Sequence, residues 1–219
     1  MNFQTIIIYL GYFILAINTL IYLKSYRKNT IAFKIISFYL LFSLILQLRV
    51  EYLKIGKEHN LFLSHFYFIG QFILLSLLYK NLLKKKLHKL ILKITFVIIL
   101  LVLSIQYYRN PALYDRFNLL EIVICSIPLI FYAFLYFILN IDSGKKDFIY
   151  LNSGVFIYLL SSTLLFVAGN YVSSSVSFWN RFIWSFNAFL YLIYQILIFV
   201  DWYKNFRPKK ISSIFVNNE

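Results

Sequence analysis

Acidic residues are scarce in this chain. Its 219 residues hold eight Asp and Glu against 22 Lys and Arg, and charged residues of all kinds make up 14%. A water-soluble domain is about one quarter charged, so too little polar surface is available to cover a globule in water. There is a single cysteine, Cys125, which excludes an intramolecular disulfide and a cysteine-built metal site. The three histidines, His59, His65 and His88, do not fall at metal-ligand spacing on one helix. The chain has no glycine-rich phosphate loop, no HExxH and no nucleophile elbow. No enzyme activity is expected from this inventory, and no cofactor or metal is implied.

What is present is apolar sequence in long blocks. Hydrophobic residues make up 61% of the chain and the mean hydropathy is +0.75. A membrane span needs roughly 20 apolar residues, and seven such blocks can be drawn: 4–23, 31–50, 61–80, 89–108, 117–140, 148–170 and 181–203. The expected fold is all-α, a seven-helix transmembrane domain over 1–203 followed by a short basic cytoplasmic tail over 204–219. The first block lacks a basic leader and a small-residue cleavage site, so it reads as a retained helix. Abundant Lys, Ile, Asn, Phe and Tyr suggest an AT-rich bacterial genome, hence the bacterial inner membrane and the lipid bilayer as the main partner. The net charge of +14 does not imply nucleic acid, because the basic residues punctuate apolar blocks instead of clustering on a polar domain.

The basic residues also give an orientation. Taken across alternating connections, the 22 Lys and Arg divide sixteen to six. The rich set is Lys24–Lys34, Lys80–Lys93, Lys145 and Lys146, and Lys204–Lys210. Cytoplasmic loops carry the excess of Lys and Arg, so the N-terminus is expected outside and the C-terminus in the cytoplasm. Trp184 and Trp202 lie 18 residues apart, about 27 Å along a helix, as an aromatic belt at both interfaces predicts. Trp179 belongs to the outer end of the same span.

Polar residues within spans usually face the bundle interior or a wet cavity. In the fifth block Asn118, Glu121, Cys125, Pro128 and Tyr132 recur at steps of three and four, a single helical stripe. Asn180, Trp184, Asn187, Tyr191 and Gln195 do the same in the seventh. Gln47 and Glu51 end the second block; His65 and Gln71 begin the third. In the expected orientation Gln47, Glu51, His65, Gln71, Asn118, Glu121, Trp184 and Asn187 share the outer half, which predicts a polar cavity open to the outside. The inner half has Asn18, Tyr191 and Gln195 as its main polar residues. The fourth block is almost bare of polar side chains and should be peripheral. Pro128 should kink the fifth helix.

Glu121 lies about 7.5 Å deeper than Arg116 along its helix, and a carboxylate there needs a partner or water. His65 and Arg181 are the candidates. Two readings stay open: Glu121 lines the outward cavity and binds something polar or cationic, or it forms a buried structural ion pair. The candidate ligand-binding set is Glu121, His65, Gln47, Gln71, Trp184, Asn187 and Glu51. Lys84, Lys85 and Lys86 form a basic inner loop that can dock a partner, though membrane topology alone accounts for them. Asp201 beside Lys204 reads as a surface pair at the inner interface.

The leading reading is a sensor or receptor-like accessory protein, passing its signal to a separate transducer such as a histidine kinase on the cytoplasmic face. A homo-oligomer is compatible with the sequence. The alternative is a small transporter with a 3 + 1 + 3 helix plan. Against it, the proline–glutamine pair that marks seven-helix sugar-transporting and peptide-retrieving families is missing: Pro128 is followed by Leu129, and the first block has no proline.

Overall fold

The computed structural model describes residues 3–140, 147–172 and 177–207. Lys145, Lys146, Lys209 and Lys210 lie outside the described residues, as do the side chains of Trp179 and Asn180. Seven α-helices follow in order: α1 Phe3–Ser25, α2 Ile31–Ile55, α3 Leu63–Leu82, α4 Lys86–Arg109, α5 Leu119–Asn140, α6 Ile149–Val172 and α7 Ser177–Asp201. A π-helical turn, Trp202–Phe206, prolongs α7.

These limits follow local chemistry. Thr30 caps α2 by accepting from the Phe33 backbone N–H at 3.4 Å, which satisfies a donor left free in the first turn. At its other end α2 continues to Ile55, beyond the expected 50. The added turn buries Leu53 and joins Glu51 to Lys54 at 3.3 Å, so an amphipathic turn extends the helix past the apolar block. Asn118 accepts from the Glu121 N–H at 3.2 Å and caps α5. Pro128 lies inside α5, which remains one helix through it.

Six helices are long and apolar enough to cross a membrane, which makes the chain a multi-pass membrane protein. Their outward faces carry bare hydrophobic side chains such as Phe13, Leu20, Leu48 and Leu164. The remaining helix, α3, is shorter and less apolar because it carries Ser64, His65, Gln71 and Ser76. Packing explains the tolerance. α3 lies between α2 and α5, with α4 against it as well, so His65, Gln71 and Ser76 are covered by protein.

The packing order is α1–α2–α3–α5–α6–α7 and back to α1, a closed ring of six helices. α4 stays outside that ring and leans on α3 and α5. Only 17% of its central window is buried, against 50% for α6. Glycine permits the closest approach in the ring. A Cβ on Gly154 of α6 would stand 2.8 Å from the Tyr194 ring of α7, so only a bare backbone lets those two helices meet there.

Candidate functional site

The polar residues sort into two centres at the same end of the ring, the end at which α1, α3, α5 and α7 begin. One is solid and the other is a cavity.

The solid centre surrounds Glu121. As the third residue of α5, behind its Asn118 cap, Glu121 occupies a position where a helix favours an acid. Its side chain is fully buried. The His65 Nδ1 of α3 lies 3.1 Å from Glu121 Oε1. Tyr107 of α4 donates its hydroxyl to Glu121 Oε2 and stands 2.8 Å from His65 Nδ1. Asn118 Nδ2 donates to Tyr107 Oη at 3.3 Å, and the Asn118 amide exchanges two 3.2 Å bonds with that of Gln106. His65 Nε2 faces the Tyr114 carbonyl oxygen at 3.1 Å. A carbonyl only accepts, so Nε2 carries a proton. Nδ1 faces a carboxylate and a hydroxyl whose own proton is committed to that carboxylate. His65, Tyr107 and Glu121 thus form one buried hydrogen-bonded cluster. The network ties α3, α4, α5 and the Pro111–Asp115 turn together.

This answers why an acid sits in an apolar run. Of the two expected partners, His65 pairs with Glu121, while Arg181 is exposed. Glu121 does not line the central cavity. The sequence reading missed Tyr107 and Gln106, because α4 looked bare; both lie in its last turn, where a peripheral helix can still reach inward. The spacing Asn118–Leu119–Leu120–Glu121 was the available signal for a capped helix start.

The second centre is a cavity of about 330 Å³ within the ring. Gln4, Ile8 and Tyr12 of α1, Gln47 of α2, Tyr67 and Phe68 of α3, Tyr158 and Phe166 of α6, and Trp184, Asn187, Ala188 and Tyr191 of α7 surround it. Three expected residues, Gln47, Trp184 and Asn187, therefore meet here. Gln71 lies buried behind the wall and donates to Tyr39 Oη at 2.9 Å and Tyr67 Oη at 3.4 Å. Glu51 stands one turn beyond Gln47 on α2 and accepts from the Tyr9 hydroxyl at 3.3 Å. Among the described residues, no Lys, Arg, Asp, Glu or His lines the cavity. Its walls are aromatic: Phe68 and Phe166 have ring centroids 5.9 Å apart, Phe166 and Trp184 5.8 Å, and Tyr158 and Tyr191 5.7 Å. Asn187 Oδ1 has no hydrogen-bond partner.

Below the cavity the middle of the ring is packed, and at the far end lies a hollow of about 600 Å³ lined by Ala32, Asn81, Lys84, Lys85, Tyr136 and Phe148 among others. Tyr158 stacks on Tyr194 at 5.2 Å. Asn18 Nδ2 donates to the Gln195 carbonyl at 2.8 Å and to Gln195 Oε1 at 3.1 Å. Tyr79 donates to Asn152 Oδ1 at 2.8 Å, and Asn152 donates to the Ala133 carbonyl at 3.1 Å. Tyr22, Tyr39, Tyr79 and Tyr194 are all fully buried. The α7 stripe is thus divided by depth: Trp184, Asn187 and Tyr191 face the cavity, while Gln195 fastens α7 to α1.

At the far end Lys84, Lys85 and Lys86 are exposed. Asp201 corrects the sequence reading. It is not a surface partner of Lys204 but is fully buried, accepting from the Tyr150 N–H at 3.2 Å and from Asn205 at 3.0 Å. Tyr150 is in the first turn of α6, so the carboxylate of α7 caps its neighbour, where the helix dipole favours negative charge.

Comparison with family models, curated proteins and solved structures finds no match to this chain.

Proposed function

We propose that this chain is a receptor-like accessory protein of the bacterial inner membrane. It crosses the membrane seven times, with the N-terminus outside and the C-terminus in the cytoplasm. The central cavity faces outward and takes up a small ligand. The single observation that carries this reading is the one-ended cavity. It lies at the end of the ring that the charge pattern assigns to the outside, and packed tyrosines and amide pairs bound it toward the other end. Such a shape suits binding and release on one side. The exposed Lys84–Lys86 loop at the far end is where a separate transducer docks.

The second reading is a transporter, favoured by the grouping of helices. The triplets α1–α3 and α5–α7 meet along α3–α5 and α7–α1 with α4 outside, as a 3 + 1 + 3 plan requires. The tyrosines and amide pairs packed across the middle of the ring speak for the receptor, because transport needs a path past them.

Purification from the native membrane in mild detergent, with mass spectrometry of associated chains, tests the choice. The receptor reading expects a stoichiometric transducer that is lost when Lys84, Lys85 and Lys86 are changed to Gln. A chain that purifies alone, and moves a solute in proteoliposomes, overturns it in favour of transport.

A further inference from the structure

We propose that the central cavity binds a small organic ammonium ion, recognised by an aromatic cage and a free side-chain oxygen acceptor. This rests on the reading of the cavity as a ligand site and adds the chemical class of the ligand.

Charge in the lining narrows the choice first. An anion would need Lys, Arg or a helix N-terminus aimed at it, and among the described residues no basic one lines the cavity. A small metal ion would need several oxygen ligands, carboxylates foremost, and none of the described carboxylates lines it either. What does line it is π-surface. Tyr158, Phe166, Trp184 and Tyr191 present rings from α6 and α7, with Phe68 of α3 closing the side. The contacts between Phe68, Phe166 and Trp184, and between Tyr158 and Tyr191, are mainly edge-to-face or tilted. Rings at several angles around one space form a cage instead of a flat stacking slot. The negative faces of such rings attract cations, most strongly Trp and Tyr, and quaternary ammonium groups are recognised in this way.

The second, independent observation is unmet hydrogen bonding. Asn187 lines the cavity, and its Oδ1 has no partner. Buried polar atoms are normally paired. An acceptor facing a cavity calls for a ligand that brings a donor, an N–H or O–H near the cationic centre. The rim agrees in sign. Glu51 lies four residues past Gln47 on the same face of α2, about 6 Å further along the axis, and its Tyr9 contact bridges α1 and α2. A volume of about 330 Å³ is at the small end for ligand pockets, which suits a compact cation and excludes a peptide.

The ammonium group could belong to a free solute or to a lipid headgroup, and the test separates them. Choline is the probe, because it joins a quaternary ammonium to a hydroxyl donor. Its uncharged carbon isostere, 3,3-dimethylbutan-1-ol, has the same shape. The full chain is placed in nanodiscs of phosphatidylglycerol, which has no ammonium group, and binding of both compounds is measured by calorimetry. The expected result is saturable choline binding at least tenfold tighter than the isostere. Trp184→Leu should weaken choline binding tenfold or more; Trp184 is 46% exposed, so its replacement leaves the bundle intact. Tyr191→Phe, which keeps the ring, should give a smaller loss. If the site takes a headgroup, choline affinity falls when phosphatidylcholine is added to the nanodiscs; if it takes a free solute, affinity is unchanged.

Equal or tighter binding of the isostere overturns the ammonium assignment, and so does choline affinity that is indifferent to Trp184→Leu. Absence of choline binding overturns it as well. None of these results touches the search for a transducer, and a chain that binds choline but purifies alone sinks the receptor reading while the ligand class stands.

Discussion

His65 Nδ1 lies 3.1 Å from Glu121 Oε1, joining α3 to α5 across a contact from which water is excluded. The two residues are 56 apart in sequence. Removing one partner of a buried pair costs about 3–5 kcal/mol, whereas replacing both by apolar groups of similar volume is often neutral. We therefore expect Glu121→Gln and His65→Leu each to lower stability by about 3 kcal/mol. The double change Glu121→Leu with His65→Leu should be milder than the sum. Unfolding in mixed micelles, read as a double-mutant cycle, measures the coupling. Additive effects would refute the pairing.

Tyr107 is the contribution of α4 to this centre. Tyr107→Phe keeps the ring and removes the hydroxyl that reaches Glu121. A hydrogen bond to a charged group is worth about 1.5–3 kcal/mol, and a loss in that range is expected. In the Glu121→Gln background the same change should cost less. A stability unchanged by Tyr107→Phe would mean that α4 does not hold the pair.

Two glycines of α6 should respond oppositely to alanine. A Cβ at Gly154 would meet Tyr194 at 2.8 Å and Leu197 at 3.3 Å, while one at Gly169 would find Ile183 at 3.6 Å, an ordinary contact. Gly154→Ala should destabilise by about 1–3 kcal/mol through overpacking. Gly169→Ala should be neutral or slightly stabilising, because glycine in a helix interior costs about 0.5–1 kcal/mol relative to alanine. Thermal unfolding of the two variants side by side decides the matter.

Asp201 caps α6 from α7, so Asp201→Ala should leave the Tyr150 N–H without its acceptor. A loss of about 1–2 kcal/mol is expected, the usual range for a helix cap. Asp201→Asn keeps an acceptor oxygen and should recover much of it. Equal losses for the two would show that the carboxylate's charge, not its cap, is what matters.

The proposed topology is tested by labelling. Cys125 is the sole thiol and is buried, so Cys125→Ser supplies a background for single new cysteines. Seven crossings with the N-terminus outside require Glu58→Cys to react with an impermeant maleimide on intact cells, and Lys84→Cys to react only after lysis. Only α3 separates the two positions. Labelling of both from the same side would show that α3 does not cross.

Much of the helical layout was legible in the sequence. Apolar blocks between basic residues mark helices because lipid-facing backbone must satisfy its hydrogen bonds internally. The peripheral place of α4 could be read from its lack of polar residues over most of its length. The outer-half cavity was legible in part: Gln47, Trp184 and Asn187 were singled out by helical spacing, and they line it. Tyr12 and Tyr67 were not, since with 19 tyrosines in the chain no spacing distinguishes an interior one. Asp201 was misread because Lys204 lies near it in sequence, whereas Tyr150 approaches it only through the α6–α7 contact.

The sequence by itself determined the class of protein: an all-helical chain too poor in charge for water. That follows from composition and block length, properties that need no knowledge of which helices touch. Tertiary structure decided how the polar residues divide between the two centres. Glu121 and Gln47 look alike as outer-half polar residues on helical stripes. One stripe turns toward α3 and α4, where His65 and Tyr107 hold and enclose it. The other turns into the ring, where aromatic walls leave a space. Helical period specifies a face, but only the order of neighbours around the ring specifies what that face meets.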